Sequence, residues 1–107
     1  MKLVKAIVRP NKLEEVREEL ERFVSGMTIT EVRGQGHQRG HTAVYRGKEY
    51  FVSLLPKMMI DVVVTDEMVN DVIQVVLKRG KTGEAGDGRI YIIPVESVYN
   101  IRIGEKE

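Results

Sequence analysis

The sequence contains no cysteine and only three prolines. Without cysteine the chain has neither a disulfide framework nor a thiolate for catalysis. It also lacks a long hydrophobic run: the opening stretch, MKLVKAIVRP, has an apolar run far too short for a signal peptide or a membrane span. These absences lead us to expect a cytoplasmic protein.

An excess of charge of either sign is also missing, because 17 basic and 16 acidic residues leave a formal net charge of +1. The chain as a whole therefore has no strong positive electrostatic potential that would attract nucleic acid or an anionic membrane. Any anion site must be formed by a local group of residues. The length of 107 residues suits one core. We therefore predict one domain over residues 1–107.

Catalytic motifs are absent from the sequence as well. It has no nucleophile elbow, no Walker lysine motif, no dinucleotide fingerprint and no local pair of nucleophile and base. His37 and His41 lie four residues apart without sulfur or carboxylate ligands nearby, so surface histidines are favoured over a zinc site. The sequence predicts a protein that is not an enzyme.

Hydrophobic periodicity predicts two helices, four main strands and one further short strand near the C-terminus. Alternation predicts strands over residues 2–9 and 27–33, and apolar residues at steps of three and four predict a helix capped by Asn11 and ending near residue 24. An apolar run, MMIDVVV, predicts a buried strand, followed by a helix from residue 65 or 66 to Gly80 and a strand, RIYIIPV. Pro94 indicates the end of that strand or a sheet edge, and SVYNIRIG predicts a last short strand.

The resulting order, β-α-β-loop-β-α-β, predicts an α+β ferredoxin-like domain with an antiparallel four-stranded sheet and two helices on one face. The other face of the sheet would be bare although its strands are rich in isoleucine and valine. Since a large apolar face is rarely left in water, we expect subunits to pack sheet against sheet in a closed ring.

Residues 34–57 separate the second and third strands and are too long for an ordinary connection, for which roughly 4–6 residues are typical. Their aromatic and branched apolar side chains argue against disorder. We expect a long, structureless, mobile loop that becomes ordered on a partner. Its aromatic residues Tyr45, Tyr50 and Phe51 stand beside charges, which suits partner anchors or modification sites and suits a structural role equally well.

Two further features could belong to a binding site. The segment KTGEAGDG, residues 81–88, has three glycines that would let backbone N–H groups turn toward an anion, and a tight turn explains the same spacing equally well. Asp61 interrupts the apolar strand MMIDVVV. A buried carboxylate needs a partner, so an internal ion pair is favoured over a ligand role.

Three segments together resemble the PII nitrogen-signalling proteins: GMTITEVRGQGHQRGHT at 26–42, YRGKEY at 45–50 and TGEAGDGRIYIIPV at 82–95. The resemblance covers essentially the whole chain. It implies a ferredoxin-like homotrimer with nucleotide in the clefts between subunits. It also implies a long T-loop and a B-loop at residues 81–88.

The resemblance further implies a site for ATP or ADP. Residues at matching positions are Ile7, Thr28, Gly36, His37, Gln38, Asp61, Val63, Gly86, Asp87, Gly88, Arg89 and Arg102. Residues 86–89, Gln38 and Arg102 would hold the phosphates, with Arg102 reaching over from a neighbouring subunit. The set Ile7, Thr28, Asp61 and Val63 would line the adenine and ribose pocket.

A 2-oxoglutarate site at Gln38, Arg39, Gly40 and Lys57 is implied in the same way. Gln38 would also ligate the Mg²⁺ through which ATP and the keto acid are bound together, and Lys57 would pair with the distal carboxylate. Tyr50 occupies the place of a tyrosine that some members have uridylylated. Arg46 occupies the place of an arginine inserted into an ammonium channel.

The implied function is a nitrogen and energy sensor that regulates an ammonium transporter or an enzyme of nitrogen metabolism. Contact with a membrane would occur only through a transporter partner. The chain departs from the family at three positions: His37 and Asn100 stand where arginine is usual, and Lys48 replaces a small residue. The first two bear on affinity for ATP and on the preference for ATP over ADP, and the third bears on recognition by a modifying enzyme.

Two alternatives share the element order. RNA-recognition domains stack bases on aromatic residues of their central strands, and KAIVR and MMIDVVV contain none, so we predict no nucleic-acid partner. A ferredoxin-like regulatory module for another small ligand, such as a metal or an amino acid, remains open.

Overall fold

The computed structural model describes residues 1–35 and 54–107 in full and residues 42–45 and 48–51 by their backbone. Two α-helices lie in this part of the chain, each preceded by a single 3₁₀ turn, and neither is long and apolar enough to cross a membrane. The helices and strands are β1 (Lys2–Val8), α1 (Leu13–Leu20), β2 (Thr28–Gly34), β3 (Thr42–Tyr45), β4 (Lys48–Phe51), β5 (Leu55–Val64), α2 (Val69–Gly80), β6 (Gly88–Pro94), β7 (Tyr99–Asn100) and β8 (Glu105–Lys106).

Four strands form the main sheet in the order β2-β5-β1-β6, with every neighbouring pair antiparallel. This is the predicted ferredoxin-like topology, which is confirmed. β6 lies at an edge and ends at Pro94, as the proline indicated. The register pairs Val8 with Gly88, so the glycine-rich turn lies beside the end of β1.

The core lies between the sheet and both helices. Alternate residues of β1 are buried, which places Val4, Ala6 and Val8 on one face of the sheet. They belong to one apolar cluster with residues of α1 and α2, including Val16 and Val72, which are 0% and 1% exposed. Burial of such side chains stabilises the fold by about 1.5–3 kcal/mol each. Both helices therefore cover the same face.

The opposite face of the sheet is open in the described part of the chain. Val63, Tyr91 and Ile93 are all exposed there although they are large and apolar. One ion pair crosses this face, with Lys5 Nζ 3.2 Å from Asp61 Oδ1. The expected bare apolar face is present.

The first helix differs from the prediction at both ends. Asn11 does not cap it; a 3₁₀ turn, Pro10–Lys12, comes first and has no side-chain cap hydrogen bond. The α-helix ends at Leu20 rather than near residue 24, because the N–H groups of both Phe23 and Val24 bond to the Leu20 carbonyl in a tightened last turn. That turn leaves Phe23 and Val24 packed against the core.

The prediction of a structureless segment at residues 34–57 is wrong for its described part. β3 pairs with β4 as an antiparallel hairpin, in a register running from Thr42 opposite Phe51 to Tyr45 opposite Lys48. β2 also continues to Gly34 and β5 begins at Leu55. Branched and aromatic residues favour strands, and the segments TAVY and KEYF contain several. Ordering of the segment on a partner stays a prediction.

Replacing Leu20 with alanine should lower the free energy of unfolding by about 2–5 kcal/mol, because Leu20 is 0% exposed and its removal leaves a cavity in the core. Leu77→Ala is the matched control. Because Leu77 is 49% exposed, its replacement should lower the free energy of unfolding much less. Urea denaturation at one protein concentration measures both. Equal losses would mean that α1 does not pack on the sheet as described.

Candidate functional site

The glycine-rich turn at residues 81–88 joins α2 to β6. Gly83, Gly86 and Gly88 have φ angles of +91°, +92° and +116°, which residues with a side chain rarely adopt. At Gly88 a Cβ atom would lie 1.7 Å from the carbonyl oxygen of Ile7. The backbone geometry of a tight turn therefore requires glycine at these positions.

The carboxylate of Asp87 lies at the centre of this turn. Its Oδ2 accepts hydrogen bonds from the backbone N–H groups of Thr82 and Gly83, both at 2.8 Å. Its Oδ1 accepts from Arg9 Nε at 2.9 Å and from the Thr82 hydroxyl. One side chain thus connects both ends of the turn to the end of β1.

These donors hold the pKa of Asp87 well below its usual range. The Thr82 hydroxyl contributes most, and Arg9 and the backbone N–H groups of Thr82 and Gly83 add to it against the opposing effect of burial. Asp87 is therefore ionised at neutral pH, with its charge directed into the turn. Since a carboxylate repels phosphate, this side chain suits a role in shaping an anion site better than one in contacting the anion.

Two cations bind carbonyl groups of the same turn. Arg9 Nη2 donates to the Ala85 carbonyl at 2.8 Å, and Lys57 Nζ donates to the Gly86 carbonyl at 2.6 Å. In a trans peptide the N–H points away from the C=O, so the N–H groups of Gly86 and Asp87 face away from these cations. Neither N–H donates a hydrogen bond to another described residue. The turn therefore presents two neighbouring backbone donors.

Lys57 connects β5 to the turn. The residue is only 7% exposed, and burial together with the nearby charge of Arg9 lowers its pKa, while Asp87 acts in the opposite direction. The family resemblance implied that Lys57 pairs with the distal carboxylate of a keto acid. In the structure its ammonium group contacts the turn predicted to bind phosphate.

A groove of about 440 Å³ runs between α2 and β6 and ends at the turn. Its walls are apolar and include Ile73, Leu77 and Ile92. At the end near the turn it is lined by Ile7, Lys81, Asp87, Gly88 and Arg89. The structure thus brings together four of the predicted nucleotide-binding residues, Ile7, Asp87, Gly88 and Arg89.

Other predicted nucleotide-binding residues lie elsewhere. Asp61 stands opposite Thr28 and Lys5 in the sheet, and its Lys5 ion pair is the internal partner that the sequence favoured. Lys5 Nζ donates a hydrogen bond to Asp61 Oδ2 at 3.4 Å, whereas the buried Oδ1 lies within ion-pair distance of the same nitrogen but accepts no hydrogen bond from a described residue. Val63 lies exposed on the open face. Arg102 lies in the turn between β7 and β8 and does not line the groove.

The other predicted site residues lie outside the described part of the chain: Gly36, His37, Gln38, Arg39, Gly40, Arg46 and the side chain of Tyr50. No group of three metal-ligating residues occurs in the part of the chain that is described.

Sequence reasoning missed Arg9 and Thr82. Thr82 stands in the same glycine-rich segment as Asp87, and hydroxyl and carboxylate side chains five residues apart in a turn could have suggested a hydrogen bond. Arg9 could not have been found in this way, since 78 residues separate it from Asp87. Only the strand register brings the two together.

The topology and the rigid turn define a ferredoxin-like domain with a preformed loop at the end of its central strand. The family model described as "Nitrogen regulatory protein P-II" matches residues 1–105. The chain therefore belongs to the P-II family, as its sequence motifs indicated.

Relatives from several bacteria agree with this assignment. The chain is 50% identical over 107 residues to the nitrogen regulatory protein P-II of Pasteurella multocida, an alignment that covers 99% of this chain and 96% of the relative. The same figures hold for the protein of that name in Haemophilus influenzae. It is 46% identical over 108 residues to nitrogen regulatory protein P-II 1 of Escherichia coli K12, covering 100% of this chain and 96% of the relative.

Membership of the P-II family establishes the general function of the chain. The chain is a nitrogen regulatory protein that acts in signal transduction. Proteins of this family regulate other proteins of nitrogen metabolism and are not catalysts, which agrees with the prediction of a protein that is not an enzyme.

Replacing Asp87 with asparagine should destabilise the protein at pH 7, because the charged acceptor of the turn is lost. The folded-state pKa of Asp87 is depressed, so its contribution is present above the unfolded pKa, about 3.9, and is lost as the pH falls below that value. The difference in unfolding free energy between wild type and variant should therefore narrow below about pH 4. Urea denaturation from pH 7 to pH 3 measures it, with the exposed Glu84→Gln variant in the same turn as control. A difference independent of pH would refute the ionised role.

Proposed function

We propose that this chain senses nitrogen and energy status by binding ATP or ADP and 2-oxoglutarate at clefts between the subunits of a homotrimer. The segment at 34–57 would transmit the ligand state to an ammonium transporter or an enzyme of nitrogen metabolism. The observation that carries the proposal is the pair of backbone N–H groups at Gly86 and Asp87, which donate to no other described residue and which Arg9 and Lys57 hold outward.

The chemistry beside these N–H groups suits phosphate. Arg89 follows in the chain and is exposed at the end of the groove, together with the exposed Lys81. A guanidinium group binds two phosphate oxygens at once, and hydrogen bonds that include a charge are roughly twice as strong as neutral ones. Backbone donors and a guanidinium group together favour the phosphates of a nucleotide over a neutral ligand.

Two features of the described residues support the proposed homotrimer. The open sheet face carries exposed Val63, Tyr91 and Ile93, which a second subunit would cover. Arg102 lies on the C-terminal hairpin, away from the groove, and would complete the phosphate site of a neighbour. We propose that residues 1–107 form one domain of such an assembly, that it acts in the cytoplasm, and that it meets a membrane only at a transporter partner.

The proposed 2-oxoglutarate site rests on Lys57 among the described residues. A buried ammonium group is a strong partner for a carboxylate, because little water screens the pair. The described residues offer no metal-ligating cluster, so Mg²⁺ would depend on oxygen atoms of the nucleotide and the keto acid, together with Gln38. That ion would let the two ligands bind together.

Coupling to the segment at 34–57 would pass through Lys57. Lys57 is the last residue of that segment and also donates to the Gly86 carbonyl, so a ligand that contacts Lys57 affects both the end of the segment and the phosphate turn. Ligands that bind one arrangement of the segment better would shift its population, with a coupling free energy of typically 1–3 kcal/mol.

Arg89→Ala should weaken the binding of both ATP and ADP by about 1.5–3 kcal/mol, the range for a hydrogen bond to a charged group. Isothermal titration calorimetry measures this, with Arg22→Ala as control because the Arg22 side chain is exposed at the end of α1. Sedimentation should show a trimer for wild type and both variants. Unchanged nucleotide affinity in Arg89→Ala would show that residues 81–88 form only a turn.

Lys57→Ala should weaken 2-oxoglutarate binding in the presence of Mg-ATP by at least tenfold. Binding of ATP alone should weaken less, by about threefold, since the Gly86 carbonyl loses one partner while Arg9 and Asp87 still hold the rest of the turn. Calorimetry compares both ligands, and the exposed Lys78→Ala is the matched control. Hydrogen exchange over residues 42–54, with Mg-ATP and then with added 2-oxoglutarate, tests the coupling. Identical exchange despite bound 2-oxoglutarate would contradict transmission through this segment.

A further inference from the structure

The C-terminal hairpin is closed by a turn over residues 100–104. β7 pairs with β8, and the backbone N–H of Gly104 donates to the Asn100 carbonyl at 2.7 Å. Gly104 has a φ of +70°, which glycine adopts without strain. The backbone alone therefore brings the two ends of the turn together.

The side chain of Asn100 fixes the part of the turn that these backbone bonds leave open. Its Oδ1 accepts hydrogen bonds from the backbone N–H groups of Arg102 at 2.9 Å and of Ile103 at 3.3 Å. One carboxamide oxygen thus fixes the backbone from which the Arg102 side chain extends. Without it, both N–H groups would depend on water.

The turn presents its side chains away from the core of its own subunit. Ile101 is 99% exposed and Ile103 is 53% exposed. Arg102 is also exposed, and it forms no ion pair with any described residue. An exposed isoleucine next to an arginine without a partner suits contact with another molecule better than a contribution to the fold.

We propose that Asn100 is a positioning residue for nucleotide binding: its carboxamide oxygen orders the turn that carries Arg102 before the ligand arrives. This inference rests on the proposed function, in which Arg102 contacts the nucleotide phosphates of a neighbouring subunit. Ordering a flexible segment at the moment of binding costs free energy, and a segment that is already ordered avoids that cost. The affinity gained through Arg102 therefore depends on Asn100.

The neutral charge of Asn100 matters as well. An aspartate could accept the same two hydrogen bonds, and its negative charge would stand two residues from Arg102 and oppose the approach of phosphate. Asn100→Asp therefore separates the two properties of the residue. Asn100→Ala removes the acceptor without adding a charge.

A double-mutant cycle tests the proposal, with Asn100→Ala, Arg102→Ala and the double variant titrated with ATP and with ADP by calorimetry. Asn100→Ala should weaken both nucleotides roughly 2- to 10-fold, the equivalent of one hydrogen bond. In the Arg102→Ala background the same change should have no further effect, because Asn100 acts through Arg102. Asn11→Ala, at an exposed asparagine outside the turn, is the control.

Hydrogen exchange and the aspartate variant add a second readout. Amide protection at residues 102 and 103 should be lost in Asn100→Ala and kept in Asn100→Asp. Asn100→Asp should nevertheless bind ATP more weakly than wild type, and the deficit should shrink as salt is raised. Sedimentation of every variant checks that the assembly is intact.

The outcomes separate the inference from the function on which it rests. If Arg102→Ala weakens ATP binding and Asn100→Ala does not, the proposed nucleotide site stands and the positioning role is wrong. An equal loss from Asn100→Ala with and without Arg102 would also overturn the role, since Asn100 would then act independently of Arg102. If neither Arg102→Ala nor Arg89→Ala affects nucleotide binding, the proposed function itself fails.

Discussion

The ionised carboxylate of Asp87 is the contact on which the candidate site depends. It accepts hydrogen bonds from Thr82, Gly83 and Arg9, and thereby joins the start of the turn, its end and the end of β1. A carboxylate that accepts several hydrogen bonds in this way is held charged and in one orientation. These hydrogen bonds hold the turn in one arrangement.

The fixed arrangement of the turn matters for anion binding, because backbone N–H groups bind an anion well only when they are already oriented toward it. Arg9 and Lys57 bind the carbonyls of Ala85 and Gly86 and so turn the adjoining N–H groups outward. Positive residues here stabilise an anion site indirectly, by occupying the carbonyl oxygens that would repel the anion. Arg89 is the residue of this region with an exposed guanidinium group for direct contact.

The fold could be predicted from the sequence because the apolar periodicity of each element matched its place in the sheet or on a helix. Residues 34–57 were harder: the length of the segment suggested a loop, whereas the short runs TAVY and KEYF had strand-forming composition that length alone obscured. Glycine spacing identified the turn at 81–88, since φ angles near +90° exclude most other residues.

Parts of the candidate site were beyond sequence reasoning for a physical reason. The contacts of Arg9 with Asp87 and of Lys57 with Gly86 join residues that are 78 and 29 positions apart, and strand register alone decides that they meet. Asn100 illustrates a different difficulty. The family resemblance indicated only that an asparagine replaces the usual arginine there. In the structure its carboxamide oxygen accepts two hydrogen bonds within the hairpin turn.

The hydrogen bond from Lys57 to the Gly86 carbonyl has a consequence for the concentration at which such a sensor would respond. If Lys57 receives the keto acid as proposed, a carboxylate that takes the N–H now donated to the Gly86 carbonyl must displace a bond of 2.6 Å. The apparent dissociation constant then equals the intrinsic one divided by the fraction of time that Lys57 is available. An internal competitor of this kind raises the response threshold, and small changes in the packing around one lysine would set that threshold without altering the residues that recognise the ligand.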